Sequence, residues 1–185
     1  MKTNWLLIVA LSLLSLPTIA DDRTPTEIAN AKAFVLDSVT LGMTEQEFLR
    51  LYPDAKPFAS LTDVKTQTKG LHVNRTKNTS GIDAAFWNGR LLEFYAWYSV
   101  GRTNEMGGFM TLVDRMIDKF GKSDAASKGK TKIDGEDCLQ LQWKINQEFF
   151  CELQVRPDLT YINITDTVAH TKRAQEQSKK ADVGF

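Results

Sequence analysis

The sequence predicts an α+β fold made of two successive helix-plus-antiparallel-three-strand units, αβββ-αβββ, closed by a C-terminal helix. Three observations predict it. Amphipathic helix signals at 44–52 and 101–121 are each followed by runs that alternate apolar and polar residues as strands do. Asn88-Gly89 stands between two such runs and marks a tight hairpin. A polar stretch of helical composition, 167–181, follows the last strand. The expected boundaries are 1–20 for a signal peptide, 21–35 for a polar lead-in, 36–102 and 103–166 for the two units, and 167–185 for the terminal helix and tail.

The N-terminus reads as an export signal. Lys2 supplies the positive start, Trp5 to Leu16 form an apolar stretch interrupted only by Ser12 and Ser15, and Pro17 breaks it. Thr18-Ile19-Ala20 places small residues before a cleavage point at Asp21. The run is shorter than the roughly 20 residues a membrane-spanning helix needs, so no stable anchor is expected after cleavage. The expected location is therefore the periplasm or the medium.

In the first unit, Thr44 and Glu47 stand in capping-box spacing, with Met43 and Phe48 at the staple positions. The helix ends near Tyr52, because Pro53 disfavours helical geometry in the residue before it. A weakly alternating strand is expected within 58–76. The hairpin follows, Ile82–Trp87 and Arg90–Tyr98 about the Asn-Gly turn. In the second unit, Phe109, Leu112, Val113, Met116 and Phe120 form one apolar helical stripe that Gly121 ends. Residues 122–135 are polar and rich in Gly and Lys, which predicts a loop. Strands are expected at 137–145, 148–156 and 159–165.

Cys138 and Cys151 form an even pair, and in an oxidising compartment that predicts one disulfide, worth about 3 kcal/mol. Leu139, Leu141, Trp143 and Ile145 alternate on one strand, and Phe149, Cys151, Leu153 and Val155 on the next. Cys138 is out of phase with its own set, so a bridge requires a bulge or a strand start there. Two separately buried thiols are the alternative.

Composition and motifs exclude several chemistries. Lys+Arg and Asp+Glu balance at 23 each, which argues against nucleic acid. Gly121-Lys122-Ser123 and Gly129-Lys130-Thr131 lack the Gly that a P-loop needs five positions earlier. His72 and His170, the two histidines, are far apart and read as solvated or structural. Asp134-Gly135-Glu136-Asp137 lacks the spaced ligands of a calcium loop. The lysines at 122, 128, 130 and 132 read as a solvated basic loop. Asn74, Asn78 and Asn163 begin glycosylation triplets. No cofactor or metal is expected.

What remains is aromatic. Trp87, Tyr95, Trp97 and Tyr98 cluster around the hairpin, and an exposed aromatic sheet face is a common protein-binding surface. Burial of that face against neighbouring chain is the competing reading.

Val39-Thr40-Leu41-Gly42-Met43-Thr44-Glu45-Gln46-Glu47-Phe48 resembles the opening of two families. They are the secreted β-lactamase-inhibitory proteins and the small SmpA/OmlA (BamE-like) outer-membrane assembly lipoproteins. The resemblance implies modules of a short helix followed by antiparallel strands, and recognition of proteins through a sheet face. The expected function is a non-catalytic module that binds another envelope or extracellular protein. The alternatives are an exported hydrolase using two carboxylates and a structural component of the envelope.

Overall fold

The computed structural model describes residues 34–130, 135–145, 148–156 and 158–182. The expected signal peptide and residues 21–33 of the lead-in lie outside the described residues.

Helix α1, Glu45–Leu51, starts where the capping box places it. The Glu47 N–H donates to Thr44 Oγ1 at 3.1 Å, and the Thr44 N–H donates to Glu47 Oε2 at 2.7 Å. That satisfies two of the amides a helix start leaves open. Phe48, on its inner face, is fully buried. The first strands are β1 (Lys56–Pro57), β2 (Thr68–Asn74), β3 (Gly81–Trp87) and β4 (Arg90–Ser99). Asn88 and Gly89 adopt φ of 50° and 72°, as the tight β3–β4 turn requires. This hairpin receives the segment entering α1: Leu91 N–H donates to Met43 O at 2.8 Å, and Glu45 N–H to Gly89 O at 3.1 Å.

The expected helix at 101–121 is two helices, α2 (Val100–Glu105) and α3 (Phe109–Phe120). Gly107 and Gly108, with φ of 95° and 88°, separate them; no L side chain adopts that geometry cheaply. The stripe lies on α3 as expected, with Leu112, Val113, Met116 and Phe120 buried. Residues 122–135, expected as loop, include the edge strand β5 (Ala125–Lys130). Its alanine, serine and lysine side chains carry no strand signal; pairing with β6 (Asp137–Ile145) makes it one. Then come β7 (Phe149–Val155), β8 (Leu159–Asp166) and α4 (Thr167–Asp182).

The expectation of two αβββ units is overturned. The strands form one eight-stranded antiparallel sheet in the order β1-β2-β3-β4-β8-β7-β6-β5. Phe94 lies opposite Ile164 and Ala96 opposite Ile162, so the two halves of the chain join edge to edge through their last strands. Separate units would leave β4 and β8, both buried on both faces, with open hydrogen-bonding edges. Joined, they give the molecule one apolar core on one face of the sheet. Phe48 meets Phe86 edge-on at 5.4 Å, and Phe120 packs against Trp143 and Phe149 at 6.2 and 5.7 Å.

The expected disulfide is not formed in this structure: Cys138 and Cys151 are free and buried. Leu139, Leu141, Trp143 and Ile145 face the helices, so Cys138 faces the other way, whereas Cys151 is in the helix-side core. Cys151 is paired with Trp143, five residues along the strand from Cys138. Opposite faces and that separation put the sulfurs beyond the reach of a bond.

Two outcomes test this packing. Thr44→Ala is expected to cost about 1 kcal/mol in urea unfolding, and Phe48→Ala about 3–5 kcal/mol. Alkylation of the denatured, unreduced chain is expected to add two adducts by mass spectrometry; none would restore the disulfide.

Candidate functional site

The sheet face turned away from α1 and α3 is polar along its middle. Strand register aligns His72, Asp83, Tyr95, Asn163, Glu152 and Gln142 into one row across six strands. Asp83, Tyr95, Asn163 and Glu152 are buried. Buried polar groups cost free energy unless hydrogen-bonded, so their partners are informative. Glu152 accepts from the neutral amides of Gln142 at 2.8 Å and Gln154 at 2.6 Å. Asp83 Oδ1 lies 2.5 Å from His72 Nδ1, and His72 Nε2 lies 2.7 Å from Asn74 Oδ1. Burial acts to lower the His72 pKa, but the bonds to Asp83 and Asn74 outweigh it, and the net shift is upward. Burial likewise raises the Asp83 carboxyl, with His72 opposing. Burial, followed by the nearby Glu93 and Glu152, pushes the Tyr95 phenol far above its ordinary range.

Helix α4 lies over one end of this face. The Ala169 N–H donates to Asp166 Oδ1 at 2.8 Å in its first turn. Farther along, Arg173 Nη1 donates to Thr68 Oγ1 of β2 at 3.2 Å. Beneath the helix is a cavity floored by Glu93, Phe150 and Thr165 and roofed by Thr167, His170, Thr171 and Ala174. The Glu93 carboxylate, 12% exposed, meets only distant groups there: His170 Nε2 at 3.9 Å and Thr165 Oγ1 at 3.4 Å. Thr165 Oγ1 donates more closely to Asn163 Oδ1, at 2.8 Å. Asn163 is fully buried, and its side-chain amide acts on the neighbouring Tyr95 phenol as a hydrogen-bonding group.

The four aromatic residues do not form one surface. Tyr98 is in the helix-side core, and Tyr95 is buried in the polar row on the opposite face. Trp87 and Trp97 share the polar face and are half-buried. The Trp97 ring lies over Gly81, where a Cβ would collide with it, and stacks on His72 at 6.4 Å and 10°. Both cysteine thiols are pushed up by burial, Cys151 strongly, which makes them poor nucleophiles. Among the described residues no three His, Cys, Asp or Glu side chains converge as metal ligands. Asn163 is too buried for its glycosylation triplet to be used in the folded chain.

Sequence reasoning missed Glu93 and Glu152, singled out Asn163 and Thr165 only as a glycosylation triplet, and set His170 aside as solvated or structural. A signal existed for two of them. Glu152 sits between Cys151 and Leu153, and Asn163 between Ile162 and Ile164, so each is a polar residue in mid-strand with apolar neighbours. Only the strand order brings them together. No protein-family model matches the chain, and neither does any curated protein or solved structure.

The His72–Asp83 pair predicts a pH dependence. A histidine whose folded pKa is raised contributes stability below its unfolded value, near 6.5, and loses it as pH rises through the folded value. The raised Asp83 carboxyl has the same sign at lower pH. Urea unfolding is therefore expected to give lower stability at about pH 8.5 than at about pH 5.5, and His72→Gln to flatten the difference. An unchanged slope in the variant would remove His72 as the cause.

Proposed function

We propose that this chain is an exported, non-catalytic binding protein that holds a small polar ligand in the cavity between α4 and the sheet. The observation that carries the reading is the floor of that cavity. Among the described residues Glu93 has only His170 and Thr165 as partners, both distant, and Thr165, Thr167 and Thr171 line the same cavity. Native interiors rarely leave such groups unused, and a cleft with a few convergent polar side chains is the usual form of a ligand site.

Binding is favoured over catalysis by how the titratable groups are spent. Asp83, the carboxyl raised by burial, is engaged by His72 rather than by the cavity. Glu152 is held by two amide donors. A general acid–base pair needs two placed groups free to exchange protons with a substrate. A protein partner is the second reading. It is supported by Trp87 and Trp97 on the same face, and by the resemblance of residues 39–48 to families that bind other proteins.

The test is native mass spectrometry of the chain produced with its own leader and purified from the cell envelope. A small non-covalent mass, released on unfolding and missing from Ala174→Phe, is expected. Ala174 is exposed on α4 at the cavity roof, so this variant should fill the cavity and shift stability by no more than about 0.5 kcal/mol. A ligand-free mass from both proteins, together with no uptake from envelope extract, would sink the reading.

A further inference from the structure

We infer that a second cavity, where α2 meets the β7–β8 connection, binds a small neutral alcohol or phenol whose hydroxyl pairs with that of Thr103. The cavity has a volume of about 170 Å³. It lies beside Leu159 and Thr160 at the start of β8, whereas the cavity beneath α4 lies beside Thr165 at the other end of that strand. Thr103, on α2, lines it and is 7% exposed, and its hydroxyl is buried without a hydrogen-bond partner. A threonine hydroxyl in a helix commonly satisfies itself on the carbonyl four residues back. Thr111 donates in this way to Gly107 O, and Thr171 to Thr167 O, each at 2.8 Å. Thr103 does not, so nothing in the chain offsets the cost of burying its hydroxyl.

The other walls decide what the ligand is. Val100, Phe109, Val155 and Leu159 are apolar, and Asn104 and Thr160 are polar without charge. Among the described residues Arg156 is the one charged side chain in the lining. Asp158 holds its guanidinium at two points, Nε to Oδ1 at 2.8 Å and Nη2 to Oδ2 at 2.6 Å. With that charge matched, an anion finds no spare counter-charge, and a cation would lie against the guanidinium. A neutral ligand meets neither cost. An apolar cavity of about 150 Å³ accommodates benzene, so this space suits a single ring or a chain of about six carbon atoms. A hydroxyl both donates and accepts, which matches the Thr103 hydroxyl in either direction.

The experiment is saturation-transfer NMR on the chain produced with its own leader and purified from the cell envelope, with phenol, benzene and benzoate as probes of one ring and three polar characters. Phenol is expected to bind saturably and to weaken about fivefold in Thr103→Val, which keeps the side chain's shape and removes its hydroxyl. It is expected to be lost in Val100→Trp, which fills the cavity from a residue 45% exposed at its mouth. Benzene is expected to bind the native chain and Thr103→Val alike, and benzoate to bind neither. Without any probe, Thr103→Val is expected to unfold at a higher urea concentration, because it removes an unpaired buried hydroxyl. A lower midpoint would show that the hydroxyl is paired within the chain and would overturn the inference. So would the absence of saturable phenol binding, equal phenol binding by Thr103→Val, or benzoate binding as tight as that of phenol. Phenol binding that persists in Val100→Trp would place the probe elsewhere and overturn it as well.

Discussion

The pairing of β4 with β8 is the interaction on which the rest of the structure depends. It joins two four-stranded meanders, one from each half of the chain, into a single sheet. Each of these strands is the last of its meander, and each is buried on both faces. Left apart, each would present a row of open backbone groups along an apolar strand, the costliest kind of edge. Paired, they place Phe94, Ala96, Ile162 and Ile164 at the middle of the core on one side and Tyr95 and Asn163 on the other. The core and the candidate site are thus two faces of the same seam.

The two faces are solvated differently. On one, α1 and α3 bring Phe48, Leu112, Met116 and Phe120 onto aliphatic and aromatic strand residues, with the Trp143 indole donating to Gly121 O at 2.8 Å. The other carries carboxylates, amides and a phenol, and its helix, α4, is polar and contacts it through Arg173 and His170. A polar helix on a polar face is held by directional bonds rather than by close apolar packing. A helix tied down at separated points over side chains of unequal length leaves space between them, and that space is the cavity.

Local signals were legible. The Thr44/Glu47 box, the Asn88-Gly89 turn and the stripe on α3 each depend on residues within a few positions of one another, and each appears where the spacing places it. Signals failed where a distant partner decides. The segment Ala-Ala-Ser-Lys-Gly-Lys of β5 becomes a strand because β6 offers it an edge. The alternation along each strand already set Cys138 out of phase, and the observed register shows that no bulge brings it back toward Cys151. Alternation along β4 puts Tyr95 and Tyr98 on opposite faces, as the sequence already implied, but that both are buried was decided by what packs on each face.

The candidate site follows the same division. The sequence by itself determined that Glu152 and Asn163 would sit in the middle of strands and that 167–181 would be a polar helix. Periodicity and composition are properties of short segments. Only the tertiary structure decided that Glu93, Glu152, Asn163 and Asp83 share one face around Tyr95, and that α4 lies over the end of it that holds Glu93. The physical reason is that strand order is set by hydrogen bonding between segments about 70 residues apart in the chain, such as Tyr95 with Asn163. The free energy that selects this order comes from burying the whole sheet at once, and no local pattern of residues encodes it.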